Sequence, residues 1–80
     1  MAAQTLQVDK NLLQYATPRQ REVIEAVIAN GGARAAARAL GVDLAYPAAV
    51  YKAVKHKAAL GGYAPQSSNI AAVSPDGFNV

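Results

Sequence analysis

Eighty residues allow one small domain, and the absence of cysteine excludes a disulfide framework and a thiolate metal site. No run approaches the roughly 18 consecutive apolar residues needed to span a bilayer, and the N-terminus lacks a secretory pattern, so the chain reads as cytoplasmic with no membrane partner. Alanine supplies much of the 52% hydrophobic content, Trp is absent and Phe occurs once, so the core must be small.

The net charge of +3 is unevenly spread. Residues 1–32 carry Lys10, Arg19 and Arg21 against Asp9, Glu22 and Glu25, which cancel. Residues 33–60 carry Arg34, Arg38, Lys52, Lys55 and Lys57 against Asp43 alone, a net +4, and residues 61–80 carry only Asp76. Cations gathered on one segment point to a polyanionic partner, most often nucleic acid. A solvated helical surface is the plainer reading of the same charges.

In chain order, residues 1–8 read as a loose start. "VDKNLLQY" predicts a short helix capped by Asp9, with Leu12 and Leu13 turned inward. "ATPRQREVIEAVIANGG" is the strongest helical signal. Thr17 is a good N-cap, Pro18 occupies the first turn, where its missing N–H costs nothing, and Gln20 completes a capping-box spacing. Val23, Ile24, Val27 and Ile28 recur on one face, and Asn30, Gly31 and Gly32 tolerate the left-handed backbone that ends a helix.

"ARAAARAL" predicts a second, short helix stopping at Gly41, with Arg34 and Arg38 four apart on its outer face. The third helix begins near Tyr46 or Pro47 and runs to about Leu60, with Val50, Val54 and Ala58 inward and Lys52, Lys55 and His56 largely outward. Gly61-Gly62 stops it, and Pro, Ser, Asn and Gly mark the remaining segment as a tail with turns. "NIAAVSPDGFNV" reads as an extended linker, with a hairpin turning at Pro75-Asp76-Gly77 as the alternative. The apolar end at Phe78 and Val80 suggests a break inside a longer protein.

A small residue, a glycine four positions later, apolar residues beside that glycine and another inside the next helix together specify a helix-turn-helix. Ala37, Gly41, Leu40 and Val42, and Val50 fill those positions, with Val54 one turn on. "TPRQREVIEAVIANGGARAAARALGV" resembles the helix-turn-helix modules of bacteriophage proteins. More distantly it resembles the DNA-binding domains of response regulators and region four of sigma factors. Phage small terminase subunits often carry such a module at the N-terminus. The resemblance runs from about Ala16 to Pro65. It implies binding of double-stranded DNA, in a homo-oligomer or as part of a larger phage protein with a packaging or regulatory role.

Pro47 departs from that pattern, which has Val, Ile or Leu there. The simplest resolution makes Pro47 the first helical residue and "VDLAY" a longer turn, with Asp43 accepting local N–H groups. A distorted helical turn from Leu44 is the alternative.

Residues near the start of a recognition helix meet base edges. Here they are Leu44, Ala45, Tyr46, Ala48 and Ala49, none of which makes the bidentate hydrogen bonds of Arg, Asn or Gln. The alanines suit thymine methyls, and Tyr46 offers one hydrogen bond. Lys52 is the first long cation able to reach a base, and Lys55, His56 and Lys57 are better placed for phosphate. Arg34 and Arg38 are either phosphate-facing or solvated. The expected DNA-binding set is therefore Arg34, Arg38, Ala45, Tyr46, Ala48, Ala49, Lys52, Lys55, His56 and Lys57, with modest specificity for a single copy.

His56 is the sole histidine and has no Cys or carboxylate at ligand spacing, so no metal site is expected. Ser67 and Ser68 lack a partner base, so no catalytic residue, cofactor or enzyme activity is expected. The fold expected is all-α: a helix-turn-helix domain of three to four helices over residues 1–60, and an irregular linker or tail over 61–80. An alanine-rich face with few donors also suits a helix–helix contact, which makes a protein-interaction or oligomerisation module the competing function.

Overall fold

Local signals start the first long helix as the sequence predicts. In the computed structural model, which describes residues 5–65 and 68–78, α1 spans Pro18–Asn30. The Thr17 hydroxyl accepts from the Gln20 amide at 3.2 Å, and the Gln20 side chain accepts from the Thr17 amide at 3.0 Å. Two of the unpaired N–H groups at the helix start are thereby satisfied. Arg19–Glu22 and Arg21–Glu25 pair along the exposed side, at 3.0 and 3.6 Å. Val23, Ile24 and Val27 are buried, as their spacing requires.

Two further helices come next, α2 (Ala33–Leu40) and α3 (Tyr46–Leu60). Ala33, Ala36 and Ala37 are fully buried, and side chains this small let α2 lie close against α1. The inner stripe of α3 is Pro47, Val50, Tyr51, Val54 and Ala58. The helix begins at Tyr46, one residue earlier than the preferred reading, and Pro47 stands second. Asp43 makes this start possible. Its carboxylate accepts from the Ala45 amide at 2.8 Å, and its carbonyl accepts from the Tyr46 amide at 3.0 Å. The proline ring is fully buried in the inner stripe of α3.

The expectation of a purely all-α domain with a loose start and an irregular tail is corrected at both ends. Leu6–Asp9 forms strand β1, and Ile70–Val73 forms β2. They pair antiparallel, with Leu6 opposite Val73 and Asp9 opposite Ile70. The tail strand thus finds its partner at the other end of the chain, not across its own Pro75-Asp76-Gly77 turn. The physical reason is core size. Alanine-rich helices leave apolar surface that they cannot cover, and Val8 and Val73, 0% and 3% exposed, complete the cluster around Ile24 and Val54. Beyond β2, the Ser74 amide donates to the Gly31 carbonyl at 2.7 Å and ties the tail to the end of α1.

The short N-terminal helix is a 3-10 turn at Lys10–Tyr15. Asp9 caps it as predicted, accepting from the Asn11 amide at 2.9 Å. Leu12 is buried and Leu13 only half-buried. Asp9 is itself 8% exposed, and its second carboxylate oxygen accepts from the Tyr63 hydroxyl. That bond links β1 to the segment after α3. No helix among the described residues is long and apolar enough to cross a membrane.

Candidate nucleic-acid interface

The turn between α2 and α3 decides what α3 can present. Gly41 adopts the left-handed conformation, φ 70° and ψ 34°, which a Cβ would penalise. Its amide bonds back to the Arg38 carbonyl at 3.3 Å, and the Val42 amide to the Ala37 carbonyl at 3.0 Å. These contacts close the end of α2 and break the rod. Leu40 and Val42 flank the glycine half-buried, and five residues separate the two helices.

On α3 the buried stripe leaves the opposite surface to solvent. With about 100° between successive residues, Ala45, Ala49, Lys52 and His56 point directly away from the core. Ala48 and Lys55 lie along one flank, and Tyr46 and Lys57 along the other. Lys52, Lys55, His56 and Lys57 are all exposed, and Tyr46 is 37% exposed. The Lys55 ammonium sits 5.4 Å from the centre of the Tyr51 ring. That distance allows a weak cation–π contact without burying the charge.

Ala45, Ala48, Ala49, Lys52 and Lys55 line one groove of about 520 Å³. Its other wall is Leu6, Gly77 and Phe78, with Tyr51 between. Sequence reasoning did not place these wall residues at the site. The one usable signal was Phe78, the sole phenylalanine in a polar tail, which here packs edge-on against Tyr51 with ring centroids 5.9 Å apart. Gly77 lets the chain pass close by. Its φ is +95°, and a Cβ would meet the Arg34 Cγ at 3.1 Å and the Ala33 Cβ at 3.2 Å.

Arg34 and Arg38 are placed elsewhere. They line a separate depression of about 250 Å³ with Ser74 and Asp76. Arg34 pairs with the Asp76 carboxylate at 3.4 Å, so the tail partly neutralises it. Both arginines are exposed. Among the described residues, no group of three or more His, Cys, Asp or Glu gathers into a cation cage.

Burial raises the Tyr51 pKa above its ordinary value of about 10; a hydrogen bond with the Asp9 backbone opposes the rise, and the Asp9 carboxylate adds to it. The hydroxyl lies 3.5 Å from the Gln7 carbonyl, at the limit of a hydrogen bond. The unfolded chain therefore loses this proton first. The stability that neutral Tyr51 contributes is present below pH 10 and is lost as pH rises beyond it. Tyr51→Phe removes that titration. In urea denaturation at about pH 8 and about pH 11, the variant should gain on the parent protein at the higher pH, and equal pH dependence would contradict this.

No family model matches the chain, and neither a curated protein nor a solved structure matches it.

Proposed function

We propose that this protein binds double-stranded DNA through a helix-turn-helix formed by α2 and α3, as the recognition module of a phage packaging or regulatory protein. The observation carrying this reading is the outer surface of α3. Lys52, Lys55, His56 and Lys57 stand clear of the core on a helix set apart from α2 by the left-handed turn at Gly41. On this reading the helix enters the major groove, Lys52 stands over the groove, and Lys55 and Lys57 reach phosphates from its two flanks. Arg34 and Arg38 supply further phosphate contacts, Arg34 once it leaves Asp76. One copy carries few base-reading groups, so a homo-oligomer or a second domain of a larger phage protein supplies the remaining specificity.

A duplex titration at two salt concentrations, with the mass of the free protein measured alongside, tests the reading. Four cations reach phosphate, and each neutralised phosphate contributes about −0.9 to the slope of log affinity against log salt. A slope of about −3.6 is expected, or about −2.7 if Arg34 stays with Asp76. A flat salt response, or no shift of any duplex at low salt, would contradict it.

A second reading has its own observation. The groove beside α3 has apolar walls at Ala45, Ala48, Leu6 and Phe78. Such walls suit a partner helix, and the domain would then be a protein-interaction or oligomerisation module. Partner binding with little salt dependence and no duplex binding would favour this reading.

A further inference from the structure

We infer that the segment Ser74–Phe78 is a built-in brake on DNA binding, which holds the Asp76 carboxylate on Arg34 where a DNA phosphate would otherwise sit. The inference rests on the DNA-binding reading and adds regulation to it. Asp76 is the sole charged residue of residues 61–80. Its Oδ1 lies 3.4 Å from the Arg34 Nε, and both side chains are at least half exposed. Such a pair gains little unless the backbone already brings its members together.

Here the backbone does so on both sides of Asp76. Before it, the Ser74 amide donates to the Gly31 carbonyl at 2.7 Å, just ahead of α2, and the Ser74 hydroxyl accepts from the Asp76 amide at 3.2 Å. After it, Gly77 lies against Ala33 and Arg34 too closely for a Cβ to fit without a shift. The Phe78 ring then packs edge-on against Tyr51 of α3. The segment is thus anchored to both helices of the helix-turn-helix, with its one charge on the first turn of α2. A carboxylate and a phosphate compete for the same guanidinium donors. A phosphate reaching Arg34 must displace Asp76, and it then still meets that charge within the Debye length of about 10 Å at 0.1 M salt. The pair is exposed, so it lowers affinity without abolishing binding. By linkage, bound DNA in turn loosens the segment.

Asp76→Asn and Arg34→Gln, singly and together, test this by anisotropy titration of a labelled duplex at several salt concentrations. Both side chains are exposed, so the variants should fold, which circular dichroism establishes. Asp76→Asn should bind up to about eightfold more tightly than the parent protein at 0.1 M salt, with the salt slope steepening from about −2.7 to about −3.6. In the Arg34→Gln background the same change should gain at most about twofold, through the screened long-range field alone. No gain from Asp76→Asn, with the parent protein binding DNA, overturns the inference and leaves the DNA-binding reading standing. An equal gain in both backgrounds also overturns it, because the carboxylate then does not act on Arg34. If neither the parent protein nor any variant binds a duplex at low salt, both readings fall.

Discussion

Replacing Lys52 and Lys55 together by glutamate should lower duplex affinity by more than about a hundredfold at 0.1 M salt. The lost phosphate contact of Lys55 removes roughly a factor of eight at that salt. Lys52 gives up its contact in the groove, worth about 1–3 kcal/mol where a base is read, and the two new carboxylates then repel the polyanion they face. The fold should be nearly unaffected, because both lysines are exposed and neither is ion-paired among the described residues. Among the described residues the side-chain interaction lost is the Lys55 contact with the Tyr51 ring, worth about 0.5–1 kcal/mol at an exposed site. Circular dichroism and a thermal melt establish that the variant is folded, and anisotropy with a labelled duplex reads binding. Affinity within a few fold of the parent protein would remove these lysines from the interface.

Ile24→Ala should produce the largest loss of stability. Among the described residues Ile24 is the bulkiest fully buried side chain, 1% exposed, and it belongs to the cluster shared by the three α-helices and the two strands. An isoleucine truncated in a core costs about 2–5 kcal/mol, from lost transfer energy and the cavity left behind. A domain of this size holds about 4–12 kcal/mol in total. At about 4–8 °C per kcal/mol, the melting midpoint should fall by about 8–40 °C. Ala36, in the same cluster, has no longer side chain to swing into the gap, so the void does not refill cheaply from α2. Calorimetry checks this. A fall of only a few degrees would mean that the helices close over the gap and that the core is looser than its burial implies.

The parts of the fold readable from sequence were those whose causes lie within a turn or two along the chain. Thr17, Pro18 and Gln20 interact over three residues, and their capping box forms as the spacing predicts. Gly41 ends α2 because the left-handed conformation is a property of that residue alone. Val50, Val54 and Ala58 recur at helical spacing and are buried together. Pro47 is the intermediate case. Its preference for a helix start was legible, and the single-residue offset to Tyr46 depended on how Asp43 bonds to the turn.

The features that stayed hidden depend on distant partners. Strands of four residues carry too little alternation to identify themselves, and β1 pairs with residues more than sixty positions away. The bond between Asp9 and Tyr63 spans 54 positions. The same limit governs the site. That α3 would expose its lysines followed from periodicity. That Leu6 and Phe78 would wall its flank, and that Asp76 would hold Arg34, followed only from where the chain ends dock. Phe78 had no local reason to be inward, and Tyr51 supplied one from across the fold.

The central claim is that α3 offers its outer surface to the duplex while its inner stripe stays in the core. Amide shift mapping during the duplex titration tests it most directly. The largest changes are expected at Ala45, Ala48, Ala49, Lys52 and His56, smaller ones at Arg34 and Arg38, and little change along Val23, Ile24 and Val27. Changes centred on β1 and β2 with α3 silent, or no change at any duplex concentration at low salt, would contradict it.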